Sequence, residues 1–121
     1  MYGFNDPKLL SWPVGREIIQ VAVGQHEVNL SFHPVGNIMV AGPWELLDPT
    51  GSVIDRSMEH ATRKELRLHF LIGPIVTGVT VQSAKSMSMI FANGYTLRLA
   101  DDDPRYEAVV MTPGDGPIIV V

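Results

Sequence analysis

Three consecutive carboxylates, Asp101, Asp102 and Asp103, are the densest cluster of ligand-type side chains in the sequence. Hard cations such as Ca²⁺ and Mg²⁺ take oxygen ligands from such groups. A calcium loop, however, spaces its ligands around a glycine turn and closes on a bidentate glutamate. Three adjacent aspartates followed by Pro104 do neither. On a strand, neighbouring side chains point to opposite faces, so Asp101 and Asp103 are the pair that would share a side. Aspartate also bonds its own backbone in turns, and Pro104 biases Asp103 toward extended backbone. The cluster therefore reads as a charged exit from a sheet, with a second use as an acidic contact for a basic partner.

The other reactive groups are as weakly organised. Asp55, Ser57 and His60 are the residue types of a nucleophilic triad. They sit too close in sequence, without the sharp elbow and oxyanion glycine that such chemistry needs. Glu59 beside His60 is a pair that any surface loop offers. The histidines His26, His33, His60 and His69 show no helical ligand spacing, and zinc would need three of them gathered by the fold. Gly36, Gly42, Gly73, Gly78 and Gly94 form neither a Walker loop nor a dinucleotide fingerprint. The expectation is a protein that is not an enzyme, with no catalytic residue, metal or cofactor.

Trp44 and Glu45 are the remaining candidates. Trp44 follows Gly42-Pro43, and a tryptophan exposed there would make an interface anchor. Together with Asp101, Asp102 and Asp103 they form the expected partner-binding set.

Composition limits what these groups can serve. The chain has 121 residues, a formal net charge of -4 and no cysteine. Its length predicts a single domain over residues 1–121. Without cysteine there is no thiol catalysis, disulfide or thiolate zinc site. The densest cationic stretch, Arg63, Lys64 and Arg67, is interrupted by Glu65. It is no basic stripe, so nucleic acid is not expected as a partner. No apolar run approaches the ~20 residues that span a bilayer. The N-terminus lacks the pattern of a signal peptide. A cytoplasmic protein without membrane contact is expected.

Two similar halves must position whatever the chain binds. Residues 10–41 and 68–99 share an order of features: an apolar lead-in, a glycine, a strand, a strand ending in Phe, a glycine turn and a third strand. Trp12 falls on Phe70, Val14-Gly15 on Ile72-Gly73, Val21 and Val23 on Val79 and Val81, Phe32 on Phe91, and Gly36 on Gly94. Trp12 and Phe70 are then expected to plug the core. Neither half is large enough to bury its own apolar face. The predicted fold is mainly β with minor α: two pseudo-repeated antiparallel β-β-β units packed as a compact sandwich or roll.

The second hairpin carries the most specific local prediction. Asn93-Gly94 invites a two-residue turn, which would mix polar and apolar residues on each face. A three-residue loop, Ala92-Asn93-Gly94, instead pairs Phe91 with Tyr95, Met89 with Leu97 and Met87 with Leu99, and sets Ser88 opposite Arg98. A one-residue slip inverts the faces, so the apolar pattern decides for the longer loop, with Gly94 left-handed. Elsewhere, the turn Asp48-Pro49-Thr50-Gly51 joins strands at 44–47 and 52–55. A short helical segment ends at Gly73, and a closing hairpin turns at Pro113-Gly114-Asp115-Gly116.

The runs "LLDPTGSVIDRSMEH", "FLIGPIVTGVTV", "SMSMIFANGYTLRL" and "DDDPRYE" resemble small bacterial domains of unknown function. Those share a glycine-led strand, a hairpin with Phe before the glycine turn, and an Asp-Asp-x-x-x-Tyr-Glu tail. The resemblance runs from about Val14 onward and implies no activity. Small acidic proteins of this style are often immunity factors beside bacterial toxins. The functional expectation is a protein-binding domain that covers a basic toxin domain in the manner of an immunity-type inhibitor. A homodimer with a structural or small-ligand-binding role is the alternative.

Overall fold

A computed structural model of the chain describes residues 4, 6–24, 27–57, 67–100 and 109–121. Helix α1 (Pro7–Leu10) opens at Asp6, whose carboxylate accepts the backbone N–H groups of Lys8 and Leu9. Proline at the first helical position gives up no needed donor there. The strands are β1 (Glu17–Val23), β2 (Val28–His33), β3 (Asn37–Val40), β4 (Trp44–Leu47), β5 (Val53–Arg56), β6 (Val76–Ser83), β7 (Ser86–Phe91), β8 (Thr96–Ala100), β9 (Val109–Thr112) and β10 (Ile119–Val120). A 3-10 helix spans Leu68–Leu71.

The strands make two antiparallel five-stranded sheets, ordered β1-β2-β3-β9-β10 and β6-β7-β8-β4-β5. One buried cluster draws on both, including Ile18, Leu30, Ile38 and Met111 from the first and Val76, Met89, Leu97 and Leu46 from the second. Period-two alternation aims these residues inward. Each buried Leu, Ile or Met contributes about 1.5–3 kcal/mol relative to exposure.

The second hairpin follows the apolar pattern. Met89 lies opposite Leu97, Met87 opposite Leu99 and Ser88 opposite Arg98. The Phe91 N–H donates to the Tyr95 carbonyl, the Gly94 N–H donates to the Phe91 carbonyl, and Gly94 has φ +88°. Three residues therefore close the loop, with the glycine where an L side chain would be strained.

Each half builds three adjacent strands of its own sheet, β1-β2-β3 or β6-β7-β8. Its following hairpin then crosses over: β4-β5 docks on β8, and β9-β10 docks on β3. The halves are thus two five-stranded units that exchange their last hairpins. A pseudo-twofold axis runs where they meet. The Gly15 N–H donates to the Val76 carbonyl (2.8 Å), and the Gly73 N–H donates to the Ile18 carbonyl (3.1 Å). Val14 bridges Val76, Ile72 bridges Ile18, and Glu17 faces Ile75 on the axis. Register shifts at Ile18/Gln20 and Val76/Gly78 fall at matching positions.

Three local expectations change. Phe32 bonds Gly36 as Phe91 bonds Tyr95, so Gly36 corresponds to Tyr95 rather than Gly94. Both hairpin loops have the same length, and the glycine sits one place later in the first. The helical lead-in to Gly73 is a 3-10 turn that ends at Leu71, ahead of a glycine at φ +107°. Trp12 packs on the core edge-on to Phe32, with ring centroids 5.2 Å apart. Its counterpart Phe70 is instead exposed, tilted against Tyr95 and His69. Phe70 lies at the end of the short 3-10 helix, and the inward position next to it is taken by Leu71.

Candidate functional site

Trp44 is buried, with 3% of its surface exposed, so it does not project as an interface anchor. Alternation along β4 explains why. Trp44 and Leu46 face the core with Leu99 and Leu97 opposite them, while Glu45 faces out between them. The Trp44 N–H donates to the Ser57 hydroxyl oxygen at 3.2 Å, tying the start of β4 to the end of β5.

Glu45 sits in a charged row across the outer face of the second sheet. Arg56 of β5 lies opposite it on one side and Arg98 of β8 on the other. Nη1 of Arg98 donates to Oε1 of Glu45 at 2.9 Å, with both side chains about a third or more exposed. Such an ion pair contributes about 0–1 kcal/mol. Where the three strand ends meet, Pro43, Trp44, Glu45, Arg56, Ser57, Arg98 and Ala100 line an open cleft of about 170 Å³. That is roughly six times the ~30 Å³ a water molecule occupies in the liquid. It is below the ~300 Å³ at which drug-sized ligand pockets begin.

Asp101, Asp102 and Asp103, like His26, Glu59 and His60, lie outside the described residues. Of the triad types, Asp55 is buried and serves the backbone. Its carboxylate accepts the N–H groups of Arg56 (2.9 Å) and Arg67 (3.0 Å), anchoring the approach to the 3-10 helix. Ser57 lines the cleft. His33 and His69 are exposed in different parts of the fold. No group of three or more metal-ligating side chains occurs among the described residues.

The sheet edges offer a different kind of surface. In β1, Ile19 and Val23 are 55% and 43% exposed, and Gln20 and Ala22 are also exposed. The strand carries no charge or proline after Glu17. The Gly24 N–H bonds to the Glu27 carbonyl, facing β2. Antiparallel alternation then turns the N–H and C=O of Val23 and Val21 outward. Among the described residues the crossing segment reaches this edge at Arg16 and Ile18, where Val76 and Gly73 donate, and no further. The matching edge, β6, lies against α1, and the Phe4 N–H reaches the Ala84 carbonyl in the β6-β7 turn.

Arg16 locks the corner where the first sheet's loops meet. Its guanidinium donates to the carbonyls of Val35 and Pro113 (2.8 Å each) and to Asp115 (2.9 Å), and lies 5.0 Å from the Trp12 ring centroid. These bonds fix loops rather than present a free cation. No helix among the described residues is long and apolar enough to cross a membrane. No protein-family model matches the chain, and no curated protein or solved structure shows significant similarity to it.

Proposed function

We propose that the chain is a non-enzymatic protein-binding domain that receives a partner strand along the outer edge of β1. The observation that supports this most directly is the uncharged, proline-free edge with Ile19 and Val23 exposed and two residues' backbone groups turned outward. Proteins usually guard such edges with lysine, proline, or a covering element, and an unguarded edge templates strand addition. The register shift at Ile18/Gln20 twists only the start of the strand.

The net charge of -4 favours a basic partner, and Asp101, Asp102 and Asp103 stay candidates for its acidic contact. An immunity-type inhibitor of a bacterial toxin, acting in the cytoplasm, is the process this reading favours. The resemblance to small bacterial domains supplies its setting. Self-association is the second reading, because antiparallel pairing of β1 with itself about Ala22 would set Val21 opposite Val23 of a second copy.

The test uses the full chain and two variants, Ile19→Lys and Val23→Pro. The proline removes an outward N–H without breaking the β1-β2 ladder. The product of a neighbouring gene is the partner probe, and sedimentation at high concentration reads self-association. Loss of either complex in both variants, with unfolding midpoints near wild type, supports strand addition. A complex unaffected by both variants, or a monomer that binds nothing, sinks it.

A further inference from the structure

We propose that Asn93-Gly94 is a self-modification site. Deamidation of Asn93 turns the amide that ties the β7-β8 loop to the 3-10 helix into a carboxylate that repels it. The reaction does not depend on strand addition at β1.

Asn93 and Gly94 are both exposed, so water and base reach them. Glycine puts no side chain beside its own nitrogen, which leaves that nitrogen open as a nucleophile. Once base has taken its proton, the Gly94 nitrogen attacks Cγ of Asn93. The new C–N bond closes a succinimide ring, and the Cγ–Nδ2 bond breaks to release ammonia. Water, the other reactant, opens the ring at either carbonyl and leaves an aspartate or an isoaspartyl link at position 93. Nothing is oxidised or reduced.

The closed loop holds this chemistry back. The Gly94 N–H donates to the Phe91 carbonyl at 2.9 Å, so its proton is engaged. Oδ1 of Asn93 accepts the Tyr95 N–H at 3.2 Å, and Nδ2 donates to the Phe70 carbonyl at 3.1 Å. A backbone donor on one side and a backbone acceptor on the other fix which way the amide points. Cyclisation must break these bonds, so its rate follows the population of an opened loop. The product cannot close the latch again. A carboxylate carries no donor, and its second oxygen would face the Phe70 carbonyl oxygen. The Phe70 ring leans on Tyr95, with centroids 5.5 Å apart, so both parts of the contact loosen together. The helix end and the crossing of the halves follow directly, through the Ile72 N–H on the His69 carbonyl and the Gly73 N–H on the Ile18 carbonyl.

The full chain, aged in mildly alkaline buffer with and without urea, tests the reaction by peptide mapping in the mass spectrometer. Asn93 is expected to deamidate at least tenfold more slowly in the folded chain than in the unfolded one. Amide hydrogen exchange then reads the consequence. Asn93→Asp should speed exchange at Phe70, Ile72 and Gly73 at least tenfold, and Asn93→Ala by less, since it loses the donor without adding the charge. Unchanged exchange in β2 and β3 reports that each variant is folded. Should Asn93→Asp fail to fold, the product accumulating in aged wild-type chain supplies the same comparison. Equal deamidation rates in folded and unfolded chain, or exchange in Asn93→Asp no faster than in Asn93→Ala, overturn the proposal.

Discussion

At the scale of single residues, the described polar side chains mainly hold backbone in place. Asp48 is the clearest case. Its Oδ1 accepts the Thr50 hydroxyl (2.6 Å) and the N–H groups of Thr50 (2.9 Å) and Ser52 (3.0 Å), which closes the β4-β5 turn. The Thr50 hydroxyl bond, then the Ser52 backbone bond, hold its pKa below the ordinary 3.8. A carboxyl with a depressed folded pKa stabilises the fold at pH values above its unfolded pKa. That contribution is lost as pH falls through the ordinary carboxylate range toward the lowered value. Asp48→Asn should therefore lower the melting temperature at pH 7, and the gap to wild type should narrow as pH falls below the ordinary carboxylate range. Parallel thermal melts across pH check it, and a gap that widens on acidification would contradict the assignment. Asp48 is only half-buried at the turn, so the effect is small and the direction is the measurement.

At the scale of elements, strand parity was legible in the sequence wherever apolar residues alternate. The 87–99 hairpin was readable because one slip would have exposed Met87, Met89 and Leu97 together. The same parity carries the signal that Trp44 is buried, since Trp44, Glu45 and Leu46 alternate in, out, in. The Gly-Pro-Trp-Glu context pointed the other way and misplaced it. The first hairpin was harder to read, because its glycine is displaced by one position and answers a packing need. A Cβ on Gly36, at φ +120°, would stand 2.6 Å from the Trp12 ring. A Cβ on Gly94, at φ +88°, would stand 3.1 Å from the Pro49 Cβ. Both substitutions to alanine incur left-handed strain of about 1–3 kcal/mol. Gly36→Ala adds overpacking of about 1–3 kcal/mol, because the Arg16 guanidinium over the indole is fixed by its bonds to Val35, Pro113 and Asp115. Denaturant unfolding should show Gly36→Ala as the more costly by at least about 1 kcal/mol. Equal losses would mean that Trp12 yields freely.

At the scale of the whole molecule, the halves were visible in the sequence, but the exchange of hairpins between them was not. A hairpin such as β4-β5 makes the same local bonds whichever sheet it extends. Arg56, Glu45 and Arg98 are likewise distant in sequence, and β4 brings them together by pairing β5 on one side and β8 on the other. The exchange also distributes stability. Leu46 and Leu97, or Ile38 and Met111, are buried neighbours from opposite halves. Neither half can then complete a sheet or cover its own apolar face, and a three-stranded remnant of about half the chain falls below the size at which a core suffices. A chain divided between residues 61 and 62 should accordingly give two fragments that are unfolded apart. Mixed or co-expressed, they should reassemble into a one-to-one complex with the β-sheet circular dichroism of the intact protein. Its melting temperature should depend on concentration, since folding has become bimolecular. If either fragment alone instead shows a cooperative unfolding transition, the core is divided between the halves rather than shared across the exchanged hairpins.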